Sequence, residues 1–102
     1  MLKINRNLSE DKAVFTLQGR LDTGTAPDLE KELKGCLDSI NLLIMDLKDL
    51  EYISSAGLRV LLTAHKIISP KGEMKIIHAN NMIMEVFEVT GFSDILNIEQ
   101  DA

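Results

Sequence analysis

A chain of 102 residues with 45% apolar and 26% charged side chains has the size and mix of one globular domain. Eleven basic against sixteen acidic residues leave a formal net charge of −5, which argues against a nucleic-acid or anionic-membrane surface. No run reaches the ~18–20 apolar residues of a membrane span, the start "MLKINRNLSEDK" is not a signal peptide, and Cys36 is the only cysteine; a single domain over 1–102, without membrane insertion and in a reducing cytoplasm, is expected.

The first elements are strands. "LKINR" reads as a short strand and "NLSED" as a polar turn. "KAVFTLQGRL" alternates Ala13, Phe15 and Leu17 against Val14, Thr16 and Gln18, the period of a half-buried strand. Within "DTGTAPDLEKELKGCLDS" the period changes, and Leu29, Leu33, Cys36 and Leu37 form one helical stripe. Cys36 belongs to that stripe as a small packing residue. Thr25 and Asp28 approximate a capping box, and Pro27 suits a first turn, where its missing N–H leaves nothing unpaired.

"NLLIMDL" is apolar on both alternating sets, which predicts a strand covered on both faces. The amphipathic stretch "GLRVLLTAHKII" predicts a second helix. A turn at "SPKG" leads into a strand at "GEMKIIHA". A third helix spans "NNMIMEVFEVTGF", with Ile83, Val86 and Phe87 as its stripe and Gly91 as a left-handed terminator. Met45, Met74 and Met82 read as packing residues; Met84 falls off the third helix's stripe and is expected at the surface. A last strand is read at "DILNI", giving an α/β domain of order β-β-α-β-α-β-α-β with a mixed, mostly parallel sheet.

Strand–helix–strand units favour parallel neighbours joined by right-handed crossovers. The loop with Asp22, Thr23 and Gly24 and the loop with Ser54 and Ser55 then both leave carboxyl ends of strands. They share the sheet edge where open α/β folds place their sites.

Two readings of the serines compete. A serine before a helix caps it, which contributes about 0.5–2 kcal/mol. Alternatively, a helix N-terminus favours negative charge, so a phosphate on Ser55 is tolerated there. Gly57 allows close backbone approach, and Arg59, one turn on, lies with Ser55, Thr63 and Lys66 on one polar face. Catalysis finds no support. Neither His65 nor His78 is placed beside Ser55, "ISSAG" is not the G-x-S-x-G elbow, and "GRLDTG" has no phosphate-cradling spacing. The two histidines lack partners at metal-ligand spacing, so neither metal nor cofactor is expected.

Together "GRLDTGTAPDLEKEL", "LIMDLKDLEYISSAGLRVLL" and "EVTGFSDIL" resemble the STAS domain, specifically the single-domain bacterial anti-sigma-factor antagonists, over nearly the whole chain. The resemblance implies a phosphoprotein that works in signal transduction and transcription regulation by partner switching. Unphosphorylated, such a domain binds an anti-sigma factor that is also a serine kinase. Phosphorylation at the start of the second helix ends the binding, and a PP2C-type phosphatase restores it. The family motif Asp-Ser-Ser/Thr-Gly falls on "ISSAG" with Gly57 as its glycine and Ser55 as the acceptor. Ala56 takes the second hydroxyl position and Ser54 that of the aspartate, which makes Ser54 the second choice. Asp22 matches the acidic residue of the earlier loop, so Asp22, Thr23, Ser54, Ser55, Ala56, Gly57 and Arg59 form the implied partner surface. The same family includes non-catalytic subunits of ABC-type lipid transport complexes, the alternative role. Nucleotide sensing, discussed for this fold, is disfavoured by the acidic charge and the missing phosphate loop.

Overall fold

The computed structural model describes residues 1–99. Two antiparallel strands come first, β1 (Leu2–Ser9) and β2 (Lys12–Leu21). They are followed by α1 (Ala26–Lys34), β3 (Leu42–Ile53), α2 (Ser55–Ile68), β4 (Glu73–Ile77), α3 (Asn81–Thr90) and β5 (Asn97–Glu99). The sheet order is β1-β2-β3-β4-β5, and every pair after the first is parallel. The expected mixed, mostly parallel α/β architecture is therefore the observed one.

Each crossover steps the same way along the sheet. Right-handed connections that do so place all three helices on one side. The burial pattern agrees with this. Ala13, Phe15 and Leu17 of β2, Leu43, Met45 and Leu47 of β3, and Met74 and Ile76 of β4 are buried with Leu29, Leu61, Ile83 and Phe87 of the helices in one cluster. The alternate residues Val14, Leu42, Ile44, Asp46 and Ile77 are only half-buried. The expectation that the third strand is covered on both faces is thus corrected: its second apolar set lies on a face that carries no helix.

Other differences have local causes. The first strand does not stop at Arg6, because the register Asn7↔Val14, Leu8↔Ala13 and Ser9↔Lys12 draws the polar segment into the ladder. An edge strand tolerates such residues, since one side of it meets solvent. The first helix ends at Gly35, and a 3-10 turn at Leu37–Ser39 follows, yet Cys36 and Leu37 remain buried with Leu29 and Leu33. Burial raises the Cys36 thiol pKa; Arg6 lowers it and Glu32 raises it further. β3 runs on to Ile53 because register shifts between Thr16/Gln18 and Gly19/Arg20 absorb extra residues. Those irregularities keep Leu50 and Ile53 directed at the core.

On α3, Ile83 and Phe87 are buried, Val86 packs against the core, and Gly91 ends the helix at φ 81°, as its sequence predicts. Met84 is half-buried against the core instead of exposed, whereas Met82 is 60% exposed. The final strand is confined to Asn97–Glu99, after a 3-10 turn at Phe92–Asp94.

The start of the β3–β4 pair depends on a close backbone approach. Glu73 N–H donates to Asn41 O at 2.8 Å, and a Cβ built on Gly72 would collide with that same peptide carbonyl. A backbone obstacle cannot swing aside as a side chain can. Gly72→Ala is expected to cost about 1–3 kcal/mol. Urea unfolding should show a lower midpoint with an unchanged slope.

Candidate functional site

The β2–β3 pairing builds the site. At its carboxyl end Leu21 stands opposite Ile53, and Ser54 N–H donates to Leu21 O at 2.9 Å. The Asp22 loop and the serine loop therefore leave the sheet side by side, as the topological argument requires. Leu21 and Ile53 are buried below them.

The two serines take different positions. Ser54 is the N-cap: its backbone is extended, and its Oγ accepts from Gly57 N–H at 3.3 Å. Its carbonyl accepts the first intrahelical bond, from Leu58 N–H at 2.9 Å. Ser55 is the first helical residue and is exposed, and among the described residues its hydroxyl has no protein partner. The capping function thus falls on Ser54 alone. Ala56 is half-buried against the core. Gly57 is buried, and a Cβ there would stand 2.7 Å from Leu21 Cγ and 3.1 Å from Ile53 Cγ1, so its lack of a side chain lets α2 sit on the strand ends.

The neighbouring loop is tightly organised. Asp22 Oδ1 accepts from Gly24 N–H at 3.0 Å, Thr25 N–H at 3.0 Å and the Thr25 hydroxyl at 3.2 Å. The hydrogen bond from the Thr25 backbone, with further donors from the Thr25 hydroxyl and Gly24, holds the Asp22 carboxyl below its ordinary value of 3.8, against a smaller opposing effect of desolvation. The single Thr25 hydroxyl proton is shared between Asp22 Oδ1 and Arg20 O, the latter at the shorter distance of 2.8 Å, and Oγ1 accepts from Asp22 N–H at 2.9 Å. The expected capping box is consequently not made: Thr25 precedes α1, but its hydroxyl turns back into this loop. Thr23 is exposed.

Arg59, Thr63 and Lys66 are exposed along α2, while Leu61 and Ile68 are buried, so the polar face that includes Ser55 lies as expected. His65 is in the last turn of α2, about 15 Å along the helix axis from Ser55. Its Nδ1 is buried with no hydrogen-bond partner among the described residues. His78 Nδ1 lies 2.9 Å from Asp46 Oδ1. Neither histidine hydrogen-bonds Ser55. Among the described residues no three side chains of metal-ligating type converge, and no helix is long and apolar enough to cross a membrane.

Two residues beside the loops escaped the sequence reading. Arg20 stacks over the Tyr52 ring at 4.3 Å and approaches Asp22 Oδ2 with Nε at 3.9 Å. The pair Arg20↔Tyr52 exists only because the two irregularities shift the β2–β3 register by one residue each. The exposed tyrosine in "EYISS" was the available signal, but its partner was not legible.

These features define a small α/β domain whose sheet edge presents an exposed serine, with no histidine hydrogen-bonded to it among the described residues, next to an ordered loop around Asp22. The chain belongs to the STAS domain family, whose model matches residues 3–102. It is 34% identical over 99 residues to BtrV of Bordetella bronchiseptica, provisionally named an anti-sigma factor antagonist, covering 95% of this chain and 85% of that one. To the anti-sigma-B factor antagonist of Bacillus subtilis it is 26% identical over 98 residues, covering 95% and 90%. The anti-sigma factor antagonist SpoIIAA has the same fold in its unphosphorylated form, with TM-score 0.86, 13% identity and coverage of 98% and 89%. The phosphorylated form of this Bacillus protein matches at TM-score 0.78, 13% identity and coverage of 98% and 92%. The two sequence relatives are thus both named as anti-sigma factor antagonists.

The division between the serines has a direct consequence. Ser54→Ala should cost about 1 kcal/mol by removing the cap, whereas Ser55→Ala should stay within about 0.5 kcal/mol of the parent. Denaturant titration of the two variants measures the difference. A second expectation concerns pH. Because the folded Asp22 carboxyl is more acidic than the unfolded one, its contribution is present above the ordinary carboxylate range and fades as pH falls through the lower folded value. Asp22→Asn keeps the accepting oxygen but not the charge, so its stability should fall less steeply than the parent's below about pH 4.

Proposed function

We propose that the protein is an anti-sigma factor antagonist switched by phosphorylation of Ser55. Its partner in this reading is an anti-sigma factor acting as a serine kinase in the cytoplasm, and a PP2C-type phosphatase resets it. One observation carries the reading: Ser54 holds the cap of α2, which leaves the Ser55 hydroxyl exposed and unpartnered at the first helical position. A kinase can take that hydroxyl without unwinding the helix. The backbone N–H groups and dipole at the N-terminus of α2 then tolerate the product. Relatives named as anti-sigma factor antagonists, and one solved in unphosphorylated and phosphorylated forms, support the same reading.

The switch is local electrostatics. A phosphate adds about −1.5 to −2 charges at pH 7 and brings acceptor oxygens to a surface that otherwise offers a small neutral hydroxyl. Asp22, Thr23, Ser54, Ala56, Gly57 and Arg59 frame that surface in this reading. Its alternate states need no rearrangement of the sheet. A partner packed over Ser55 would have to desolvate the phosphate, while the Asp22 carboxylate in the adjoining loop adds charge of the same sign. A loss of roughly 3–4 kcal/mol corresponds to a few-hundredfold weaker binding.

Peptide mapping of the protein from its native cells should find one phosphate, on Ser55 and removable by phosphatase. The isolated anti-sigma factor should bind Ser55→Ala like the parent and Ser55→Asp at least about a hundredfold more weakly. Full-affinity binding of Ser55→Asp, together with absence of phosphate in every growth condition, would overturn the reading.

A further inference from the structure

The arginines of this chain are not equally engaged. Arg6 approaches Glu32 at 3.5 Å, and Arg20 is drawn between the Asp22 carboxylate and the Tyr52 ring. Arg59 is exposed, and among the described residues its guanidinium has no ion pair, hydrogen bond or ring contact. The sequence of α2, "SAGLRVLLTAHKII", holds no acidic residue that could take it. Packing and pairing within the domain therefore leave its charge unused.

Helix geometry decides what Arg59 reaches. Ser55 and Arg59 stand four positions apart on α2, about 40° apart in arc and with Cβ atoms about 5–6 Å apart. Helical side chains lean toward the N-terminus, so a residue at i+4 extends over the one at i. The Ser55 hydroxyl, exposed and unpartnered, lies on the side toward which Arg59 extends. A hydroxyl gives a guanidinium only one neutral acceptor. A phosphate gives three charged oxygens, which the guanidinium fork meets with two parallel bonds. An anion at i with a cation at i+4 is also the favourable order of the two charges on a helix. On the neighbouring elements, Asp22 and, in the first turn of α1, Asp28 carry the phosphate's own sign, and Arg20 is already drawn to Asp22.

We propose that Arg59 is the phosphate-receiving residue of the switch: once Ser55 is phosphorylated, the guanidinium turns back one helical turn and closes an intrahelical pair with the phosphate. The inference rests on the phosphorylation of Ser55 proposed above and adds how the modified state is held. Phosphorylation then changes the surface in two ways. It adds negative charge at Ser55, and it withdraws the unpaired arginine from the polar face that Thr63 and Lys66 share.

The test needs no kinase. Phosphoserine is installed at position 55 of the full chain by genetic encoding, and its phosphorus resonance is followed from about pH 4 to about pH 8, across the second phosphate ionisation. In the parent this ionisation should lie at least about 0.3 pH unit lower than in Arg59→Gln, a twofold change in the ionisation constant. Arg59→Lys should keep part of that difference, because it retains the charge but not the fork. The helix terminus acts on all three proteins alike, so the difference reports Arg59. In the isotope-labelled parent, the Arg59 Nε–H resonance should move when phosphoserine replaces serine. Two results would overturn the proposal: the same ionisation in the parent and Arg59→Gln, or an Nε–H resonance indifferent to the phosphate. Because the phosphate is installed, neither result depends on what cells do to Ser55. The peptide mapping above decides the switch, and this titration decides Arg59.

Discussion

The parallel pairing of β2 with β3 is the constraint on which the site depends. Its two irregularities let a 10-residue and a 12-residue strand finish together, with Leu21 opposite Ile53. The bond from Ser54 N–H to Leu21 O extends the pairing by one step into the loops. Thirty-odd residues of intervening chain are thereby closed onto a common edge. The first turn of α2 is then clamped from below, because Gly57 rests on Leu21 and Ile53 where any side chain would collide. Ser54, held by its own backbone bond and by Gly57 N–H, sets where the helix starts. The place of Ser55 follows from these contacts and not from any of its own.

Rigidity around Ser55 is uneven. On the loop side, one carboxylate oxygen of Asp22 gathers three donors, and Thr25 ties the same turn to the backbone of Arg20. Charge-assisted bonds of this kind hold the loop from within, above the buried Leu21 and Ile53. Arg20 continues the network outward by stacking on Tyr52, an exposed cation–π contact of about 0.5–1 kcal/mol. On the helix side, Ser55, Arg59, Thr63 and Lys66 are exposed. A preformed loop thus lies beside a row of adaptable polar side chains.

The sheet is asymmetric for a topological reason. Crossovers that all advance in one direction put every helix on one face, leaving Val14, Leu42, Ile44 and Ile77 half-covered on the other. Composition alone cannot distinguish that arrangement from a sheet sandwiched by helices, and so β3 reads as a doubly buried strand. α3 poses the opposite problem. Its sequence is apolar on more than one side, and only packing shows that Ile83 and Phe87 turn inward, Met84 packs at the margin and Met82 faces water.

The sequence by itself determined much of this protein. Alternation in "KAVFTLQGRL", the stripe through Leu29 and Leu33, and the left-handed glycine at position 91 are local consequences of side-chain geometry. They are legible without a partner strand or helix. The serine-containing helix start and the acidic loop were legible too, since composition and spacing mark them. Tertiary structure alone decided which serine caps the helix, because Ser54 and Ser55 have the same chemistry and differ only in backbone conformation. It also turned Thr25 from a helix cap into a loop clamp, by offering its hydroxyl the Arg20 carbonyl and the Asp22 carboxylate instead. Arg20 and Tyr52 meet 32 positions apart through two one-residue register shifts. Such shifts arise from pairing between strands, a property that neither strand's own sequence contains.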